Sequence, residues 1–115
     1  MLANTLTVGG VTLTRIKEGD YSSEYRKVTA TEEYRLIIRH SNAKPTPEGL
    51  ARDRHNIELV ITTFPTATAP QEVSKAYWVA EQNANNTSIW TSQSLLGFMT
   101  ASDNAILTAV HGWDS

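Results

Sequence analysis

The stretches TEEYRLIIRHS (residues 31–41) and RHNIELVITTF (residues 54–64) decide the fold of this 115-residue chain. Both alternate with the two-residue period of a strand, so successive side chains point to opposite faces of a sheet. In the first, Tyr34, Leu36 and Ile38 share a face against Glu33, Arg35, Ile37 and Arg39. In the second, Ile57, Leu59 and Ile61 oppose Asn56, Glu58, Val60 and Thr62. Each run thus has one side suited to a core and one suited to contact with something polar. A sheet of this kind needs cover on its apolar face alone, which leaves the other face free to bind.

Working outward, Leu6 and Val8, then Val11 and Leu13, alternate on either side of Gly9-Gly10. Glycine takes the positive φ of a tight primed turn without strain, so this is a hairpin signal. Glu18-Gly19-Asp20 marks a second turn, and a short polar strand is expected over Tyr21 to Val28. The span from Asn42 to Ala51 holds two prolines and a glycine and reads as a loop, as does Thr66 to Pro70. Gln71 to Gln82 carries both a helical stripe and the strand-favouring Tyr77-Trp78-Val79, and is taken as a strand. Beyond the Asn-rich turn at Asn83–Asn86 the period changes. Ile89, Leu95, Leu96, Phe98 and Met99 form one helical stripe, with Thr87 or Ser88 available as N-cap. Ser102 is expected to cap a second short helix carrying Ala105, Ile106, Ala109 and Val110, with Asp103 in its first turn and Gly112 at its end. The expectation is an α+β protein of one domain over residues 1–115, with an N-terminal hairpin, an antiparallel sheet and two C-terminal helices.

Composition bounds the function. Ten basic and twelve acidic side chains give a formal charge of -2 and cysteine is absent, which removes disulfides, thiolate catalysis and thiolate-bound metal. Globally this is no nucleic-acid binder, so such a role would need a local patch. No apolar run approaches the ~20 residues of a membrane span, and MLANTLTVGG lacks the features of a secretory signal. No phosphate-binding glycine loop, nucleophile elbow or metal-ligand spacing is present, so neither a cofactor nor a metal is expected. Arg52-Asp53-Arg54-His55-Asn56 resembles an acid–base cluster, but a strand sends His55 and Glu58 to opposite faces, and Asp53 is expected to pair with its flanking arginines. His40 and His111 read as packing or capping residues, and Trp78, Trp90 and Trp113 as packing anchors spread over three elements.

Seven of the ten basic residues fall between Arg26 and Arg54, and none follows Lys75. Arg35 and Arg39 lie four apart on one strand, on one face and ~13 Å apart. They suit either cross-strand pairing with Glu33 and Glu58 or bidentate contact with phosphate. Two short helices cannot cover both faces of such a sheet, and exposed edge strands tend to be paired or blunted. A homodimer joining sheets edge to edge, with helices exchanged, is the economical solution.

The succession YSSEYR, TEEYRLIIRHS, DRHNIELVITTFPTATAP and KAYWVAEQN, followed by two helices, resembles the coat proteins of small single-stranded RNA bacteriophages, the leviviruses. That resemblance implies an intertwined homodimer with a continuous sheet, assembled into an icosahedral capsid with the sheet inward against genomic RNA. It implies no enzymatic activity, no membrane partner, and location in the virion and, during assembly, in the bacterial cytoplasm. It further implies binding of a genomic hairpin that represses replicase translation. By position the RNA-facing residues would be Arg35, Arg39, Asn56, Thr62, Lys75 and Tyr77, with Tyr77 stacking a base. Some positions where the family reads bases through hydroxyl or amide groups are Arg35, Ile37 and Val79 here. The alternative is a small α+β enzyme or ligand-binding domain with His55 and Glu58 near a pocket; a third reading is a DNA-phage head or tail component.

Overall fold

The computed structural model describes residues 2–114. The chain divides into two compact units, Met1–Ala84 and Asn85–Ser115. The first is an antiparallel meander of β1 (Thr5–Val8), β2 (Val11–Gly19), β3 (Ser22–Val28), β4 (Glu32–Ala43), β5 (Arg52–Thr63) and β6 (Glu72–Asn83), each strand paired with its sequence neighbours. β1 and β6 are therefore the two edges.

Gly9 and Gly10, with φ of +56° and +81°, close the first hairpin, so Val8 faces Val11 and Leu6 faces Leu13. A bulge between Arg15 and Lys17 shifts the β2–β3 register by one residue. Without it, Arg15 and Lys17 would share a face. With it, Arg15 stays beside Tyr25 on the apolar side and Lys17 moves beside Glu24 on the polar side. Through the long β4–β5 pairing, Tyr34 faces Ile61, Leu36 faces Leu59 and Ile38 faces Ile57. The expected apolar face is thus a single face across both long strands.

Both long strands run further than the sequence suggests, with Ala43 still opposite Arg52. The loop between them covers residues 44–51, where the expected one began at Asn42. Thr46 organises it, its hydroxyl accepting from the Leu50 amide at 3.1 Å and its carbonyl from the Gly49 amide at 2.8 Å. Gly49 supplies the left-handed backbone there, at φ +83°. Gln71 to Gln82 resolves as β6, because its β-branched and aromatic residues sit on a sheet already built by β4 and β5.

The core of this unit is small. Leu13, Tyr25, Leu36 and Ile38 are buried, with Leu6, Val8, Val11, Tyr34 and Leu59 packed around them. Full burial of such side chains stabilises by about 1.5–3 kcal/mol each. The N-terminal segment is tied down over this core: the Tyr25 hydroxyl donates to the Ala3 carbonyl at 2.7 Å, and Arg15 donates to the Leu2 carbonyl and to the Tyr25 hydroxyl. The apolar face of β5 and β6 fares differently, for Ile57 is 39% exposed and Trp78 only half-buried.

The second unit holds α1, Trp90–His111, a helical span in which a kink separates two helices. Its helical geometry is interrupted at Ala101–Asn104: Ala101 is extended, and Ser102, Asp103 and Asn104 have φ of 54°, 58° and 63°. Ser102 and Asp103 therefore do not form the expected N-cap and first turn. They occupy left-handed backbone, which short polar side chains tolerate better than most residues. At the start, Ile89 takes the N-cap position in place of Thr87 or Ser88; the Ser88 hydroxyl still accepts from the Trp90 amide at 3.3 Å. At the end, Gly112 keeps φ at -89° and Trp113 carries the left-handed turn at 71°. The Asp114 amide reaches the Ala109 carbonyl at 2.9 Å, closing a Schellman-type terminus. No described residue of α1 is buried, and Trp90, Leu95, Leu96, Phe98 and Val110 are exposed.

Candidate nucleic-acid interface

The strand registers bring Arg35, Arg39, Asn56, Thr62, Lys75 and Tyr77 onto one face of the sheet. Arg35 lies opposite Val60, which lies opposite Lys75; Arg39 lies opposite Asn56; Glu58 sits between Ile37 and Tyr77; Glu33 is opposite Thr62. β3 adds Arg26 beside Arg35 and Glu24 beside Ile37.

Formal charge is divided unequally between the faces. Among the described strand residues, the polar face holds Lys17, Arg26, Arg35, Arg39, Arg52, Arg54 and Lys75 against Glu24, Glu33, Glu58 and Glu81. That is seven cations against four carboxylates. The opposite face holds Arg15 and Lys27 against Glu18, Glu32, Asp53 and Glu72. A chain of net charge -2 therefore presents a net positive surface of +3 on one side of its sheet. Sequence reasoning picked out Arg35, Arg39 and Lys75 but missed Lys17, Arg26, Arg52 and Arg54. The last two were legible, since they fall four and two residues before Asn56 in strand alternation; Lys17 was not, because the bulge decides its side.

The cations are not idle. Arg26 pairs with Glu33 at 2.6 Å, Arg39 with Glu58 at 2.8 Å and Lys75 with the same Glu58 at 3.2 Å. The Arg35 Nε lies 3.2 Å from Glu24 and 3.6 Å from Glu33, an ion pair without an aligned hydrogen bond from that nitrogen. Cross-strand pairing is therefore realised. It does not exhaust these groups: Arg39 and Lys75 keep about half of their side-chain surface exposed, 54% and 53%. Exposed pairs of this kind are worth at most about 1 kcal/mol each, so a polyanion can displace them. The Arg26 guanidinium, hydrogen-bonded to Glu33, holds that carboxyl below its usual range, with Arg35 adding to the effect against partial desolvation.

Tyr77 is 68% exposed on β6, with Lys75 and Val79 two residues away on the same face. A flat aromatic surface beside cations can stack an unpaired base and hold its phosphates. Asn56 contributes a buried side-chain oxygen, Oδ1, with no hydrogen-bond partner among the described residues.

The other sequence candidates separate from this face. His55 faces His40 across β4 and β5, their Nδ1 atoms 2.9 Å apart and their rings edge to face. They border a cavity of about 280 Å³ with Tyr21, Ser41, Asn42 and Asp53. Glu58 is on the opposite side of the sheet, so no pocket joins it to His55. Asp53 does not pair with its neighbours as expected, because alternation sends Arg52 and Arg54 to the other face; Arg54 reaches Glu81 at 3.5 Å. Among the described residues no group of three or more ligating side chains is gathered for a metal, and no helix is long and apolar enough to cross a membrane.

Comparison with known proteins agrees with this architecture. The family described as "Phage phiCb5, coat protein" matches residues 3–83, which is the whole sheet. No curated protein sequence matches at a significant level. Among solved structures, the chain is similar to an unassembled virus coat protein dimer, described as a bacteriophage RNA-binding dimer, with a TM-score of 0.55 and 14% identity over 93% of this chain and 86% of that one. It is similar also to a virus-like particle of Wenzhou levi-like virus 1, with a TM-score of 0.56 and 15% identity over 97% of each chain.

Proposed function

We infer the role of this chain from its family: it belongs to the phage phiCb5 coat protein family, and its work is structural rather than enzymatic. We propose that it dimerises, closes into an icosahedral shell in the virion after assembly in the bacterial cytoplasm, and holds single-stranded genomic RNA against the polar face of its sheet.

Dimerisation follows from what the single chain leaves open. β6 is a twelve-residue edge strand that pairs within this sheet with β5 on one side, and a two-fold axis along the open side of such an edge extends the sheet antiparallel into a second copy. The apolar residues of α1, none of them buried, then have the half-covered apolar face around Ile57 and Trp78 of the partner to cover. That exchange is the intertwined dimer. The unassembled coat protein dimer and the levi-like particle noted above support this reading through fold similarity.

RNA binding is carried by one observation, the division of charge between the faces of the sheet. A surface of net +3 with an exposed tyrosine attracts phosphates and stacks bases; the opposite face, with more carboxylates than cations, does neither. Arg35, Arg39, Lys75 and Tyr77 form its centre, with Asn56 and Thr62 on its polar floor. A genomic hairpin that represses replicase translation is the finer form of the same proposal.

Electron microscopy and nucleic-acid analysis of the purified recombinant protein test the whole. Closed shells containing nuclease-protected RNA are expected. A stable monomer at micromolar concentration, or shells without RNA at low salt, would overturn the corresponding half.

A further inference from the structure

Glu58 lies at the middle of the polar face, and two cations from two different strands converge on it. Arg39 of β4 donates to its Oε2 at 2.8 Å, and Lys75 of β6 approaches its Oε1 at 3.2 Å. Its side chain is only 15% exposed, while both cations keep half of their surface open. Directly opposite on β6 stands Tyr77. The carboxylate therefore occupies the point between two cationic side chains where a phosphate would bind, one register position from the exposed ring.

We propose that Glu58 is a built-in competitor for RNA phosphate, which weakens charge-driven binding at the centre of the face and so raises the weight of base stacking on Tyr77. This rests on the RNA-binding reading above. The physical argument is one of exchange. A bulk RNA backbone gains from Arg39 and Lys75 only by displacing their carboxylate, and it then lies beside an unneutralised anion. An RNA that offers an unpaired base to Tyr77 has a second contact that Glu58 does not oppose. Duplex RNA keeps its bases paired, so it feels the repulsion without the compensation. The positive face then prefers single-stranded, base-exposed RNA over any polyanion.

The test is binding of full-length protein to a labelled unstructured RNA and to a duplex RNA of equal length, across a salt series. Glu58→Gln keeps the shape and removes the charge. It is expected to bind both RNAs more tightly by roughly 3- to 10-fold at low salt and to narrow the preference for single strands. Its dependence of log affinity on log salt should steepen by about 0.7 for every further phosphate it neutralises. Glu72→Gln, which removes a carboxylate from the other face, should behave as wild type. If Glu58→Gln binds as wild type or more weakly while wild type binds well, the carboxylate orients the cations rather than competing, and the proposal fails. If wild type and Glu58→Gln both fail to bind RNA at low salt, the RNA-binding reading itself fails.

Discussion

The hydroxyl of Tyr25, on a fully buried ring, donates to the main-chain carbonyl of Ala3 at 2.7 Å. One side chain thus fills the core of the sheet and fastens the start of the chain across it, twenty-two residues away in sequence. Tyr25→Phe keeps the ring and loses the bond, and should cost about 0.5–1.5 kcal/mol in urea unfolding. Tyr25→Ala removes the ring as well and should cost about 3–5 kcal/mol. Equal losses for the two would show that the bond, not the ring, carries the contribution.

Phe98 is 58% exposed on α1. In an isolated chain Phe98→Asp would change stability by no more than about 0.5 kcal/mol. In a helix packed on a partner subunit it buries a carboxylate, and the dimer dissociation constant should rise at least ~30-fold, a loss of about 2 kcal/mol. Sedimentation velocity over a concentration series reads the difference; an unchanged dimer would remove this face of α1 from the interface.

Arg35→Glu with Arg39→Glu reverses two charges on the polar face. Packaged RNA should fall sharply, and the slope of log affinity against log salt should shrink by about 0.7 for each phosphate the protein no longer neutralises. Thermal unfolding of the protein should change far less than RNA content, since both arginine side chains in the broken pairs are exposed, although Glu24 and Glu58 are not. Unchanged RNA content per particle would return both arginines to ordinary cross-strand pairing.

The segment from Pro65 to Pro70 closes on itself: the Thr66 amide donates to the Ala69 carbonyl at 2.8 Å, and the Thr66 hydroxyl accepts from the Ala69 amide at 3.0 Å. Such a stiff loop of small side chains suits close packing with copies of itself around a shell's symmetry axis. Replacing it with Gly/Ser should leave folded dimers and spoil or alter the particles seen by electron microscopy. Particles of unchanged size and stability would place the loop away from the symmetry axes.

Glu33 titrates below its usual value of 4.5 because Arg26 donates to it in the folded state. A carboxyl whose folded pKa is depressed contributes stability above its unfolded pKa and loses it as pH falls through the folded one. Arg26→Gln should therefore lower the unfolding midpoint slightly at pH 6, and the gap to wild type should close as pH falls through the depressed pKa of folded Glu33. Arg26 is exposed although Glu33 is partly covered, so added salt should shrink the gap as well. A gap that persists once the Glu33 carboxyl is fully protonated would assign the loss to packing of the Arg26 stem.

Strand alternation alone determined which residues of β4 and β5 share a face, because a period of two leaves no choice once both runs are extended. Leu36 and Ile38 on one side, and Arg35 and Arg39 on the other, follow directly. The Gly9-Gly10 hairpin was equally legible, since positive φ at two successive positions favours glycine. Tertiary structure decided the rest. The side taken by Lys17 depends on a bulge that only the pairing with β3 creates. Gln71 to Gln82 had to choose between two periods, and its place beside β5 made the choice. The backbone at Ser102–Asn104 takes a left-handed path that no capping rule anticipates, and Trp113 instead of Gly112 makes the turn that ends α1. Most of all, the sharing of Glu58 by Arg39 and Lys75 joins residues nineteen and seventeen positions from it in sequence. A local pattern fixes the face a side chain occupies; only the register of three strands fixes which charge it meets there.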